Sequence, residues 1–166
     1  MKIASSGVVD GVIQDKYGKR GECTDFGMPA LSLPLEMDEV PEGTESFAVF
    51  VEDKDAYPVS GGFSWVHWVA ANFDSPVIEE DASRKREGIV QGPNSWMSAQ
   101  GGCNPPELCS CYGGMAPPDK EHVYEINVYA LDAKLDLDDG FFLNELFHAM
   151  EGHVLDHAIL KARYGA

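Results

Sequence analysis

The 166 residues carry 28 Asp and Glu against 12 Lys and Arg, a formal charge of −16. A field of that sign repels phosphate backbones and anionic headgroups, which argues against nucleic acid as a partner. Any bound anion must then be held by local donors such as imidazoles, hydroxyls and backbone N–H groups. With 44% hydrophobic residues, 17 Gly and 10 Pro, the chain can bury one core but is too rich in turn formers for a helix bundle. One domain over residues 1–166 is expected.

In chain order, the start MKIASSGVVDG has no apolar stretch of signal-peptide length, and no window approaches a membrane span, so a cytoplasmic address without membrane insertion is expected. Cys23 stands alone and reads as structural. Pro41-Glu42-Gly43-Thr44 reads as a turn, and residues 46–51 (SFAVFV) and 63–73 (FSWVHWVAANF) read as strands rich in Val, Phe and Trp. Residues 92–118, rich in Gly, Pro, Cys and Ser, read as a long irregular loop of the kind that lines binding sites. Its Cys103, Cys109 and Cys111 lack the paired C-x-x-C spacing of a zinc knuckle, so free thiols or one local disulfide are expected, with no metal and no cofactor.

Residues 122–131 (HVYEINVYAL) alternate. Val123, Glu125, Asn127 and Tyr129 share one face, and Tyr124, Ile126, Val128 and Ala130 share the other, as in a half-buried antiparallel strand. After an N-cap at Asp138 or Asp139, the spacing of Phe142, Leu143, Leu146, Phe147, Met150, Val154 and Ile159 predicts an amphipathic C-terminal helix. Gly152 interrupts it, and residues 153–164 are expected to continue as helix.

The chemistry-bearing residues cluster at strand ends. Glu52-Asp53-Lys54-Asp55 follows the first strand and His67 lies within the second, so pairing of the two brings a carboxylate toward an imidazole. His122 opens the third strand, directly after the loop containing Tyr112-Gly113-Gly114 and Ala116-Pro117-Pro118, whose Gly amides suit close approach to a ligand. Two imidazoles, an acidic pair, a Tyr hydroxyl and Gly amides around one mouth describe a site for a small phosphate- or carboxylate-bearing molecule. Taken singly, each has a plainer role: a hydrogen-bonded core histidine, or solvated acidic turn residues.

Four blocks, in order, carry a resemblance: Val40-Pro41-Glu42-Gly43-Thr44-Glu45-Ser46-Phe47, Glu52-Asp53-Lys54-Asp55-Ala56-Tyr57-Pro58, His67-Trp68-Val69-Ala70-Ala71-Asn72, and Ala116-Pro117-Pro118 through His122-Val123-Tyr124. With the ends Lys2-Ile3-Ala4-Ser5-Ser6 and Met150-Glu151-Gly152-His153-Val154-Leu155, the sequence resembles the phosphatidylethanolamine-binding protein family, in its bacterial Raf-kinase-inhibitor-like branch. The resemblance implies a mainly β fold, with a large antiparallel sheet packed on a smaller one. It also implies a small anion-accepting pocket. Asp53 and Asp55 match its acidic pair, His67 and His122 its two histidines, Tyr112 with Gly113 its loop wall, and Pro58 and Pro118 its rim. Two departures stand out: Lys54 replaces the first Pro of Asp-Pro-Asp-Ala-Pro, and Val123 replaces the Arg of His-Arg-Tyr, removing a guanidinium near the site.

The function expected is binding of a small anionic ligand, coupled in the resemblance to inhibition of a partner protein that the sequence does not identify. The competing reading is a hydrolase or other acid-base enzyme built on the Asp/His cluster, with Ser60, Ser64 or Cys111 as neighbouring nucleophiles. The chain has no G-x-S-x-G, H-E-x-x-H or phosphate-binding Gly loop followed by Lys, so no enzyme is expected. Trp65, Trp68 and Trp96 are alternative protein-docking anchors, Trp65 and Trp68 reading as core. A homodimer through a sheet face or the C-terminal helix stays open.

Overall fold

Period-2 patterning sets the architecture. The computed structural model describes residues 1–166. Its strands are β1 (Lys2–Ala4), β2 (Val8–Val9), β3 (Val12–Ile13), β4 (Leu35–Asp38), β5 (Ser46–Asp53), β6 (Trp65–Phe73), β7 (Val77–Ile78), β8 (Val90–Gly92), β9 (His122–Leu131) and β10 (Val154–Tyr164). Four short helices are α1 (Tyr57–Ser60), α2 (Ala82–Lys85), α3 (Pro106–Cys109) and α4 (Leu143–Met150). The strands form a seven-stranded sheet in the order β2-β3-β10-β9-β5-β6-β8 and a three-stranded sheet in the order β1-β4-β7. This is the mainly β, two-sheet fold expected. No helix is long and apolar enough to cross a membrane.

The large sheet is covered on both sides, which is why its central strands read as nearly continuous apolar runs. One face carries Val49, Val51, Trp68, Ala70, Tyr124, Ile126 and Val128, packed with Leu35, Met37 and Ile78 of the small sheet. The other face buries Ala48, Phe50, Val69, Ala71 and Leu131 against Leu146 and Met150 of α4. β9 follows its expected alternation: Tyr124, Ile126, Val128 and Ala130 all lie in the first of these cores.

The C-terminal segment departs from expectation. Only Leu143–Met150 is helical, its first turn is held by Glu145 accepting from the Phe142 N–H at 2.6 Å, and the N-cap is Phe142, not Asp138 or Asp139. Gly152, at φ +82°, ends the helix in a conformation that only glycine adopts cheaply. Residues 154–164 then form β10, paired antiparallel along nearly the whole of β9. Val154 and Ile159, which complete the helical stripe by spacing, are 44% and 45% exposed on β10, whereas Ala162 and Tyr164 are buried. Pairing with a long central strand outweighs the helical spacing. The loop 92–118 is irregular as expected, apart from a 3₁₀ turn at Ser95–Met97 and α3.

Candidate functional site

Three adjacent strands deliver the site at one end of the large sheet. Asp53 at the end of β5 is opposite Trp65 of β6 on one side and Tyr124 of β9 on the other, a single row across three strands. The β5–β6 register slips between Val51 and Glu52, so His67 falls in a bulge and Trp68 re-enters the core beyond it. Bulges re-aim side chains in this way, and here His67 turns toward the row made by Asp53 and Tyr124.

These residues line a cavity of about 330 Å³, with Ala56, Val59 and Ser60 from the α1 region, Trp96, Gln100 and Gly101 from the long loop, and Ala116, Pro117, Pro118 and His122 leading into β9. That is the lower end of the range for small-molecule pockets. No lysine or arginine lines it.

Inside, the hydrogen bonds fix most groups. His122 Nδ1 is 2.7 Å from Asp53 Oδ2 and its Nε2 is 2.8 Å from Asp119 Oδ1, so both ring nitrogens are engaged by carboxylates. Asp53 Oδ1 accepts from the Ala56 N–H at 3.2 Å. His67 Nδ1 lies 2.6 Å from the Gly113 carbonyl oxygen, and the Gly113 N–H donates to the His67 carbonyl at 2.8 Å. Both imidazoles flank the Tyr124 ring, with centroids at 5.2 Å for His67 and 6.5 Å for His122. Burial pushes the His67 pKa below its ordinary value, against the opposing pull of its bond to Gly113. Burial and then the nearby Asp53 charge push the Tyr124 phenol far upward, so it keeps its proton.

Three buried side-chain polar atoms in the chain have no partner: His67 Nε2, Trp96 Nε1 and Tyr124 Oη. All three belong to residues that line this cavity. Buried polar groups are nearly always paired within a protein, so three unpaired ones on residues of one cavity single it out as the candidate site. The Trp65 and Trp96 rings meet edge to face at 6.3 Å, and Phe63 stacks on Trp65 at 6.1 Å, giving the mouth an aromatic wall.

Of the residues singled out in the sequence, Asp53, His67, His122 and Pro118 are brought together on the cavity wall. The other four are not in the lining. Asp55 accepts from the Val123 N–H at 2.9 Å, the Tyr112 hydroxyl donates to the Tyr17 carbonyl at 2.9 Å, and Pro58 lies in α1 beside the lining residue Val59. The Gly113 amide is consumed by His67, and the Gly114 amide by Pro29 at 2.9 Å. These groups support the wall from behind. Tight packing there explains the glycine: a Cβ at Gly113 would fall 2.9 Å from Asn94, Met28 and Trp96 atoms. Sequence reading missed Tyr124 and Trp96 as site residues and took Trp65 for core. The signal available for Tyr124 was its inward alternation two residues after His122.

The phosphatidylethanolamine-binding protein family model matches residues 4–165. This chain belongs to that family. It is 43% identical over 148 residues to YxkA, an uncharacterized protein of Bacillus subtilis, spanning 86% of this chain and 88% of that one. The crystal structure of a putative family homologue from Chlamydia trachomatis superposes with a TM-score of 0.77 at 30% identity, covering 98% of this chain and 95% of that one. YbcL of Escherichia coli, described as a member of the mammalian family, gives 0.74 at 26% identity over 99% and 98% of the two chains.

The two departures from the family motif lie off the cavity lining. Lys54 bonds Glu125 at 2.5 Å and Glu52 at 3.2 Å, forming with Lys161 an ion-paired row across β5, β9 and β10. Val123 is 38% exposed. The hydroxyls and thiol considered as nucleophiles are engaged elsewhere: Ser60 with Phe63 O at 2.6 Å, Ser64 with Glu52 at 2.7 Å, and Cys111 with Leu108 O at 3.5 Å, its thiol pushed up by burial to about 11.

Proposed function

We propose that this family member binds a small oxyanion-headed molecule in the Asp53–His67–His122 cavity, as a binding protein and not as a catalyst. The supporting observation is that all the unpartnered buried polar side-chain atoms belong to residues lining one cavity. Trp96 Nε1 and the Tyr124 hydroxyl supply donors to an oxyanion, and His67 Nε2 supplies one further polar contact. The aromatic wall of Trp65 and Trp96 suits a flat or apolar body behind that head. A covalent mechanism gains no support from Ser60, Ser64 or Cys111, since each of the three is held in another hydrogen bond. Inhibition of a partner protein rests on the family likeness alone, and a cytoplasmic setting on the sequence.

Inorganic phosphate should raise the thermal unfolding temperature, by the equivalent of about 2.7 kcal/mol at a hundredfold excess over Kd. Tyr124→Phe keeps the ring and loses the donor, so it should leave the unliganded protein as stable or up to about 1 kcal/mol more stable while cutting phosphate affinity roughly fivefold. Unchanged affinity in Tyr124→Phe, or no shift with phosphate in the wild type, would sink the assignment.

A further inference from the structure

One polar atom of the cavity has a fixed polarity. The Gly113 carbonyl oxygen only accepts, so the proton of the neutral His67 ring is on Nδ1, 2.6 Å away. Nε2 therefore presents a lone pair, on a residue 3% exposed, and nothing in the protein donates to it. His122 cannot supply a proton to the ligand without giving up a carboxylate, because both of its nitrogens are taken. Asp53 has one oxygen on His122 and the other on Ala56.

A fully ionised head would thus set an oxygen lone pair against the Nε2 lone pair. The escape would be to protonate His67, which its burial opposes. The titratable groups facing that ring are Asp53 from β5 and His122 and Tyr124 from β9, with Asp119 beyond His122.

We propose that the head enters carrying a proton of its own, donated to His67 Nε2, so that the pocket takes hydrogen phosphate and the monoanion of phosphomonoesters and turns away sulfate and phosphodiesters. This rests on the cavity being the ligand site. Its chemistry divides common ligands cleanly. Inorganic phosphate keeps at least one proton throughout the physiological range, and phosphomonoesters lose theirs near pH 6. Carboxylates have lost theirs near pH 4. Sulfate and the phosphodiester heads of intact membrane lipids have none to give.

Isothermal calorimetry on the full chain at pH 6 would compare inorganic phosphate, glycerol phosphate, sulfate, dimethyl phosphate, ethanolamine and vesicles of a zwitterionic phosphodiester lipid. Phosphate and glycerol phosphate should bind, and the other four roughly tenfold more weakly or not at all, as expected when a buried acceptor is left unpaired. Between pH 6 and 8 the glycerol phosphate affinity should fall roughly tenfold or more while that of inorganic phosphate stays nearly level. His67→Gln, whose amide can turn an N–H to the ligand, should bring phosphate and sulfate within roughly threefold of each other. Wild-type protein that binds sulfate, dimethyl phosphate or the vesicles as well as phosphate overturns the proton requirement and leaves the binding site standing. Binding of ethanolamine alone overturns it in favour of an ammonium donor. If none of the six binds, the site assignment itself fails.

Discussion

At the scale of single residues, His67 links burial, proton and ligand. Its folded-state pKa lies below the ordinary value of 6.5, so under acidic conditions the unfolded chain binds a proton that the folded chain refuses. The stability tied to the neutral ring is whole above about pH 6.5 and is lost as pH falls below it toward the folded-state pKa. Urea unfolding of wild type and His67→Gln at pH 7.5, 6 and 5 isolates this share, because the other titrating groups are common to both. The wild type should lose more stability than the variant over that range, and parallel losses would contradict the buried neutral imidazole. The same residue shows the limit of pattern reading. That His67 and His122 share a wall was legible from motif order, but which atoms remain free was not. The bond to Gly113 and the two carboxylates around His122 depend on contacts 46, 69 and 3 residues apart in sequence.

At the scale of elements, the strands were legible and the last one was not. Residues 122–131 and β9 coincide, and β5 and β6 run within two residues of their expected limits, since buried strands of Val, Phe and Trp have little other use. β10 failed because VLDHAILKARY carries a helical spacing and an alternation at once, and only its partner β9 decides between them. The strand assignment makes a sharp contrast. Ile159→Ala, on a side chain 45% exposed, should change stability by no more than about 0.5 kcal/mol, whereas Tyr164→Ala, at 1% exposed, should cost about 3–5 kcal/mol. Chemical denaturation of both variants reads this directly, and a large loss at Ile159 would argue for a buried helical face. The bulge that turns His67 inward was also invisible, because strict alternation cannot put His67 and Trp68 on one side.

For the whole molecule, the charge of −16 and a pocket without lysine or arginine act together. The long-range field raises the free energy of an arriving anion, and salt screens that field over a Debye length of about 10 Å at 0.1 M. Phosphate should therefore bind more tightly at 150 mM than at 10 mM sodium chloride, roughly two- to fivefold, the reverse of a basic phosphate site. Calorimetry at the two ionic strengths checks the sign, and weakening with salt would point to a cationic surface that the cavity lining lacks. The most direct examination of the account is long-range ¹⁵N–¹H NMR of the His67 ring at pH 7, with and without inorganic phosphate. The free protein should show a proton on Nδ1 and a bare Nε2, and phosphate should shift Nε2 as it gains a hydrogen bond. An imidazolium, the opposite tautomer, or a ring unmoved by phosphate would contradict it.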